Sequence, residues 1–227
     1  MAETEYIPVN KQELPIEEKK PSKADNKETV FYQLKRATYE KGDLRVHFPQ
    51  ITEMQSNMKE KQINGIIKEE IFEFVNQYED DIATLEMDYE VMTETENILS
   101  IVYSGYYSGG AYPSHLLFTT NIDMRTGEKI RLPNTITINE EFIDKFNKAS
   151  YINRDPNSPN VKELSLAVRD YLKQITVEEL INGFKQADLP SMTENPYGVY
   201  SFFQDDTFII SIRVPHVIGD HAEFKIE

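Results

Sequence analysis

Asp205 and Asp206 sit between two apolar runs, Phe202-Phe203 and Phe208-Ile209-Ile210. Adjacent carboxylates can serve acid–base catalysis, but this setting predicts the tip of a hairpin, where aspartate is a turn residue. The four histidines are His47, His115, His216 and His221. His216 and His221 lie five apart with Asp220 between them, which supplies the donor types that a metal takes. The spacing matches no metal-binding motif, so they read as ordinary loop histidines, and no metal or cofactor is expected. There is no cysteine, which excludes a thiolate nucleophile, a zinc–thiolate site and disulfides. Gly-x-Ser-x-Gly, His-Glu-x-x-His, Walker and Gly-x-Gly-x-x-Gly patterns are all missing from the sequence. No nucleophile, base and orienting group assemble, so the expectation is a chain without catalytic residues, not an enzyme by itself. An enzymatic reading would require His216, His221, Asp205 and Asp206 to share one cleft.

Recognition chemistry is densest from Tyr103 to Pro113. Four of the 13 tyrosines and three of the nine glycines fall within residues 103–112. One reading is a turn in which Gly109 and Gly110 supply positive φ while the tyrosines pack on a sheet. The other is a recognition loop, because tyrosine offers a large amphipathic contact at low entropy cost. The run argues against a phosphate cradle, since no Lys-Ser/Thr follows and the next element reads as a strand.

Charge supplies the second signal. With 24 Lys+Arg against 39 Asp+Glu the net charge is −15, which argues against nucleic acid and anionic lipid as partners and for a cationic one. The charge is uneven. Between Glu69 and Met124 there are 12 acids and no Lys or Arg. In residues 84–93 Leu85, Met87, Tyr89 and Val91 alternate with Glu86, Asp88 and Glu90, the period of a half-exposed strand. The acids then share a solvent face that either protects a sheet edge or steers a basic protein. A calcium site has no Asp-x-Asp-x-Asp loop to build it.

These features need elements to hold them. Residues 1–29 carry three prolines and many charges and read as a disordered tether. Residues 30–40 and 43–51 predict a hairpin turning at Lys41-Gly42-Asp43, with Pro49 ending the second strand at an edge or bend. Residues 57–78 predict the strongest helix, with Ile63, Ile66, Ile67, Phe74 and Val75 at helical spacing. Strands follow at 84–93, 97–107 and 113–124. Thr137-x-x-Glu140 and Thr176-x-x-Glu179 look like capping boxes, flanking a helix at 161–174 and a loop at 150–160. Strands at 197–204 and 207–214 and a last piece at 222–226 complete the chain. The order predicts an α+β fold with antiparallel sheets and packed helices, with a subdomain boundary near 95–110 or near 133. With hydrophobic residues at 39%, a core is expected.

The run Tyr103-Ser-Gly-Tyr-Tyr-Ser-Gly-Gly-Ala-Tyr112-Pro113, followed by Asn121-Ile-Asp-Met-Arg-Thr-Gly-Glu-Lys-Ile-Arg-Leu132, resembles an extracytoplasmic bacterial family. Its members include the outer part of the anti-sigma factor RsiV and the N-terminal region of the peptidoglycan deacetylase PdaC. Val46-His-Phe-Pro49, Ile63-Asn64, and the closing strands with Pro215, Gly219 and Phe224 extend the likeness over about residues 30–227. Tyr112 stands where the family pattern has His. The resemblance implies a tether at 1–29, a PdaC-like part at 30–107 and an RsiV-like part at 108–227. It implies a non-enzymatic sensor or binding domain outside the membrane, with a leader or anchor upstream of Met1 as the only membrane link. The implied partner is a cationic cell-wall-active protein such as lysozyme, or else peptidoglycan as the ligand of an accessory module. Contact is expected from Tyr106, Tyr107, Ser108, Gly109, Gly110, Ala111, Tyr112 and Pro113, with Tyr106, Tyr107 and Tyr112 as anchors. Pro215 and His216 support it, and Glu86, Asp88 and Glu90 steer.

Overall fold

A computed structural model of the chain describes residues 32–78, 83–153, 160–205 and 207–226. The expected tether, and Asp206, lie outside the described residues. The element order is β1 (Gln33–Lys41), β2 (Leu44–Thr52), α1 (Asn57–Asn76), β3 (Thr84–Glu94), β4 (Ile98–Ser108), β5 (Ser114–Asp123), β6 (Glu128–Lys129), α2 (Leu132–Thr135), α3 (Glu140–Lys148), β7 (Ser150–Ile152), α4 (Val161–Leu172), α5 (Val177–Lys185), β8 (Tyr200–Gln204), β9 (Thr207–Arg213) and β10 (His221–Ile226), with a 3-10 turn at His216–Ile218. The fold is α+β, as the sequence predicts.

β1 to β6 form one sheet in sequence order, and β7-β10-β9-β8 form the second. Neighbouring strands are antiparallel except β2 and β3, which pair in parallel over Leu44–Val46. That exception follows from α1: a helix between two strands returns the chain to its starting end, and a parallel pair needs such a crossover. It also puts Pro49 at an edge, as the sequence predicts, although the strand does not end there. β2 continues to Thr52, because beyond Val46 only β1 pairs with it and a residue without an N–H is tolerated there. The α3 cap is two residues later than Thr137 suggests: Asn139 Oδ1 accepts from the Phe142 N–H at 2.9 Å. At α5 the predicted box forms, with Thr176 and Glu179 capping reciprocally.

Ile63, Ile67, Ile71 and Phe74 of α1 lie buried against Val46, Ile51, Leu85, Tyr103 and Phe118 of the first sheet. The second core packs Phe142, Phe146, Val168, Leu180 and Phe184 against Ile210, Ile212 and Phe224. The β8–β9 hairpin serves both, since Tyr200, Phe202 and Ile209 face the first core. Burial on two faces explains why these strands read as nearly continuous apolar runs. Residues 107 and 108 both belong to β4, inside the first sheet, and the chain leaves that sheet only after Lys129.

A buried polar joint ties the halves together. Glu70 of α1, in the stripe that buries Ile63, Ile67 and Phe74, receives Lys129 and the Thr120 hydroxyl. Lys129 also reaches the Asp188 carbonyl. The Asp188 carboxylate accepts from the Ser201 N–H at 2.6 Å, the Ser201 hydroxyl at 2.7 Å and the Leu132 N–H at 2.7 Å. Burial pushes both carboxyls up, and Lys129 pulls each back toward ionisation.

Candidate functional site

The β4–β5 hairpin positions the tyrosine run, and strand alternation divides it between two faces. Tyr103 is buried on the α1 side, with its ring 4.3 Å from Phe118. Tyr107 points the same way, 4.8 Å from the ring of Tyr78, so it packs beneath the loop rather than presenting itself. Tyr106 faces the other side and is 62% exposed. Its partner on β3 is Glu86, and its partner on β5 is His115, 5.3 Å away ring to ring.

Ser108, Gly109, Gly110, Ala111, Tyr112 and Pro113 are all exposed. Neither Gly109 nor Gly110 has a positive φ, which corrects the turn reading. The connection is too wide to need it. Gly109 is required for space, because a Cβ there would meet the Tyr107 hydroxyl at 2.2 Å.

Tyr112, 71% exposed, lies parallel to His216, with centroids 6.0 Å apart and planes at 15°. Two segments about a hundred residues apart in the chain thus meet. Their joint is Asp220: its carboxylate accepts the His115 N–H at 2.9 Å and contacts His216 Nδ1 at 3.0 Å. Pro215 precedes the 3-10 turn and is exposed, as is Val217 at 87%. The result is a surface of Tyr106, Tyr112, His216 and Val217 beside the Glu86 end of β3.

The acids divide. Glu86 and Glu90 are exposed on the Tyr106 face. Asp88 is engaged in two hydrogen bonds of 2.8 Å from Arg36, which hold its carboxyl below the usual carboxylate range. Glu70 and Asp123 also leave the pool of free charge, through Lys129 and Arg125. The surviving acidic feature is narrower than the sequence total implies.

The histidines sort differently from their spacing. His221 lies 6.0 Å from His115, and burial pushes its imidazole down to about 3. Burial lowers His115 too, opposed by Asp220. Among the described residues no three His, Asp or Glu groups form a metal-holding cluster. Asp205 begins the β8–β9 turn and His216 follows the far end of β9, roughly 20 Å away at strand spacing. Asp205 therefore does not share a cleft with His216, and Asp206 lies outside the described residues.

Gly105 sets the base of this surface. A Cβ at that position would lie 2.0 Å from the Glu86 carbonyl oxygen and 2.6 Å from Met87 Cα. Such close backbone approach is where a strand interior demands glycine. Gly105→Ala is expected to destabilise the fold by about 1–3 kcal/mol or more. Urea unfolding at neutral pH checks this; an unchanged midpoint would remove Gly105 from the account.

Residues 33–115 match the family described as Deacetylase PdaC. The matched span runs from β1 to the first residues of β5. No curated protein matches the chain. A DUF3298 family protein of Pseudomonas aeruginosa PAO1 is 13% identical, with 86% of this chain and 88% of that one covered and a TM-score of 0.46. A DUF3298 family member from Bacteroides fragilis NCTC 9343 is 14% identical, with the same two coverages and a TM-score of 0.39.

Proposed function

We propose that this chain, which carries a PdaC-type domain over residues 33–115, is a non-enzymatic extracytoplasmic sensor or binding domain whose partner is a cationic cell-wall-active protein such as lysozyme. One observation carries the reading: exposed Tyr106 is the direct cross-strand neighbour of exposed Glu86. An aromatic anchor beside unpaired carboxylates suits a basic protein, since charge sets encounter and a desolvated aromatic holds the complex. Tyr112 over His216 enlarges the anchor. No helix among the described residues is long and apolar enough to cross a membrane.

Calorimetry with lysozyme tests this. Binding is expected at low salt and is expected to weaken as salt shortens the screening length to about 10 Å at 0.1 M. Tyr106→Ala and Tyr112→Ala are each expected to weaken binding by about tenfold or more, with the melting temperature nearly unchanged. The absence of heat at low salt overturns the reading.

A second reading, a peptidoglycan- or carbohydrate-binding module, is favoured by the parallel Tyr112 and His216 rings. Stacking on a neutral glycan would persist at high salt, which separates the two.

A further inference from the structure

We propose that the cleft beneath the Tyr106–Pro113 loop binds a zwitterionic α-amino acid with a large apolar side chain. The cavity measures about 250 Å³, and its lining includes Tyr78, Tyr107, Ser114, Met192, Arg213 and Asp220. Pockets for drug-sized ligands hold about 300–1,000 Å³, so this one admits a residue-sized molecule. One wall is apolar: the Tyr78 and Tyr107 rings stand 4.8 Å apart, and the Tyr78 hydroxyl lies 4.0 Å from Met192 Sδ.

The lining also holds two opposed charges, Arg213 and Asp220, with no ion pair between them among the described residues. The guanidinium of Arg213 makes no hydrogen bond or ion pair among the described residues. It lies along Gly198, whose added Cβ would come 3.2 Å from Nε. Asp220 is fixed instead by His115 and His216. The two residues stem from adjoining backbone, as Arg213 pairs with His221 and the Val214 N–H donates to the Asp220 carbonyl. A half-buried guanidinium with no hydrogen bond or ion pair among the described residues carries a desolvation cost that is little compensated. A ligand carboxylate relieves it through a bidentate pair, a ligand ammonium faces Asp220, and the side chain fills the tyrosine and methionine wall. A net-neutral ligand also escapes the repulsion that a chain of charge −15 exerts on simple anions. Burial keeps His115 and His221 neutral beside the cleft, so they add no competing cation.

The test titrates the full chain, followed by amide chemical shifts, with L-phenylalanine and L-leucine, with their N-acetyl forms, and with their amides. Saturable shifts centred on Ser114, His115, Arg213 and Asp220 are expected. Acetylation and amidation are each expected to weaken binding at least about tenfold, as loss of a charge-assisted hydrogen bond does. Arg213→Gln is expected to bind phenylalanine and its amide alike while keeping a folded spectrum. Failure of both free amino acids to shift these residues at about 1 mM, the weak limit of ordinary affinity, overturns the site. Equal binding of free and blocked forms overturns the zwitterion assignment, and this comparison on the unaltered chain holds even if the variant fails to fold. Lysozyme enters neither arm, so failure here leaves the partner reading untouched.

Discussion

Lys129→Met is expected to lower the unfolding free energy by about 3–5 kcal/mol, the cost of breaking a buried ion pair from one side. Lys129 is the cation between Glu70 and the Asp188 segment. Without it Glu70 remains buried with only the Thr120 hydroxyl, and it must either stay charged in an apolar setting or take up a proton. Urea unfolding at neutral pH gives the measurement. Lys129→Met combined with Glu70→Gln is expected to recover part of the loss, because the unpaired charge is gone. Combining it with Glu70→Leu is expected to recover more, since an apolar pair of similar volume needs no compensation. A single variant within about 1 kcal/mol of the parent would show that Glu70 is neutral in the fold and the joint is not ionic.

Phe118→Ala is expected to cost about 3–5 kcal/mol. Its ring lies between Phe74 at 4.2 Å and Tyr103 at 4.3 Å, nearly parallel to both. Truncation removes the middle of a three-ring stack that joins α1 to β4 and β5, and neither neighbour can close the gap without moving its backbone. The denaturation midpoint should fall with an unchanged slope against urea, the signature of lost stability rather than altered compactness. A loss near that of an exposed substitution, about 0.5 kcal/mol, would refute the stack as the centre of the first core.

The elements with strong local periodicity were legible. The 3.6-residue spacing of α1 and the alternation of β3 rest on contacts each residue makes with its own element's face. The reciprocal Thr176–Glu179 cap was legible for the same reason, its partners being three residues apart. What was not legible depends on distant pairing. The parallel joining of β2 to β3 is decided by where α1 returns the chain. Asp88 looked like a free acid because Arg36 is 52 residues away. Glu70 did carry a signal: it falls on the stripe of Ile63, Ile67 and Phe74, and a charged residue on an apolar face must have a buried partner. The identity of that partner, Lys129, was out of reach. The candidate site follows the same pattern. The Tyr/Gly run marks one half of the surface, but nothing local joins Tyr112 to His216, or sends Tyr107 and Tyr106 to opposite sides with different tasks.

The β8–β9 hairpin, with one face in each core, bears on how the chain can be cut. A fragment ending at residue 115, where the match to the PdaC family ends, would stop just inside β5. It would lack Phe118, Ile122 and Lys129, and the Tyr200, Phe202 and Ile209 side chains that close the first core. The matched stretch is therefore shorter than the chain that closes the first core. A piece cut for binding studies should accordingly keep the chain through β10, so that the β8–β9 hairpin and its β10 neighbour stay in place.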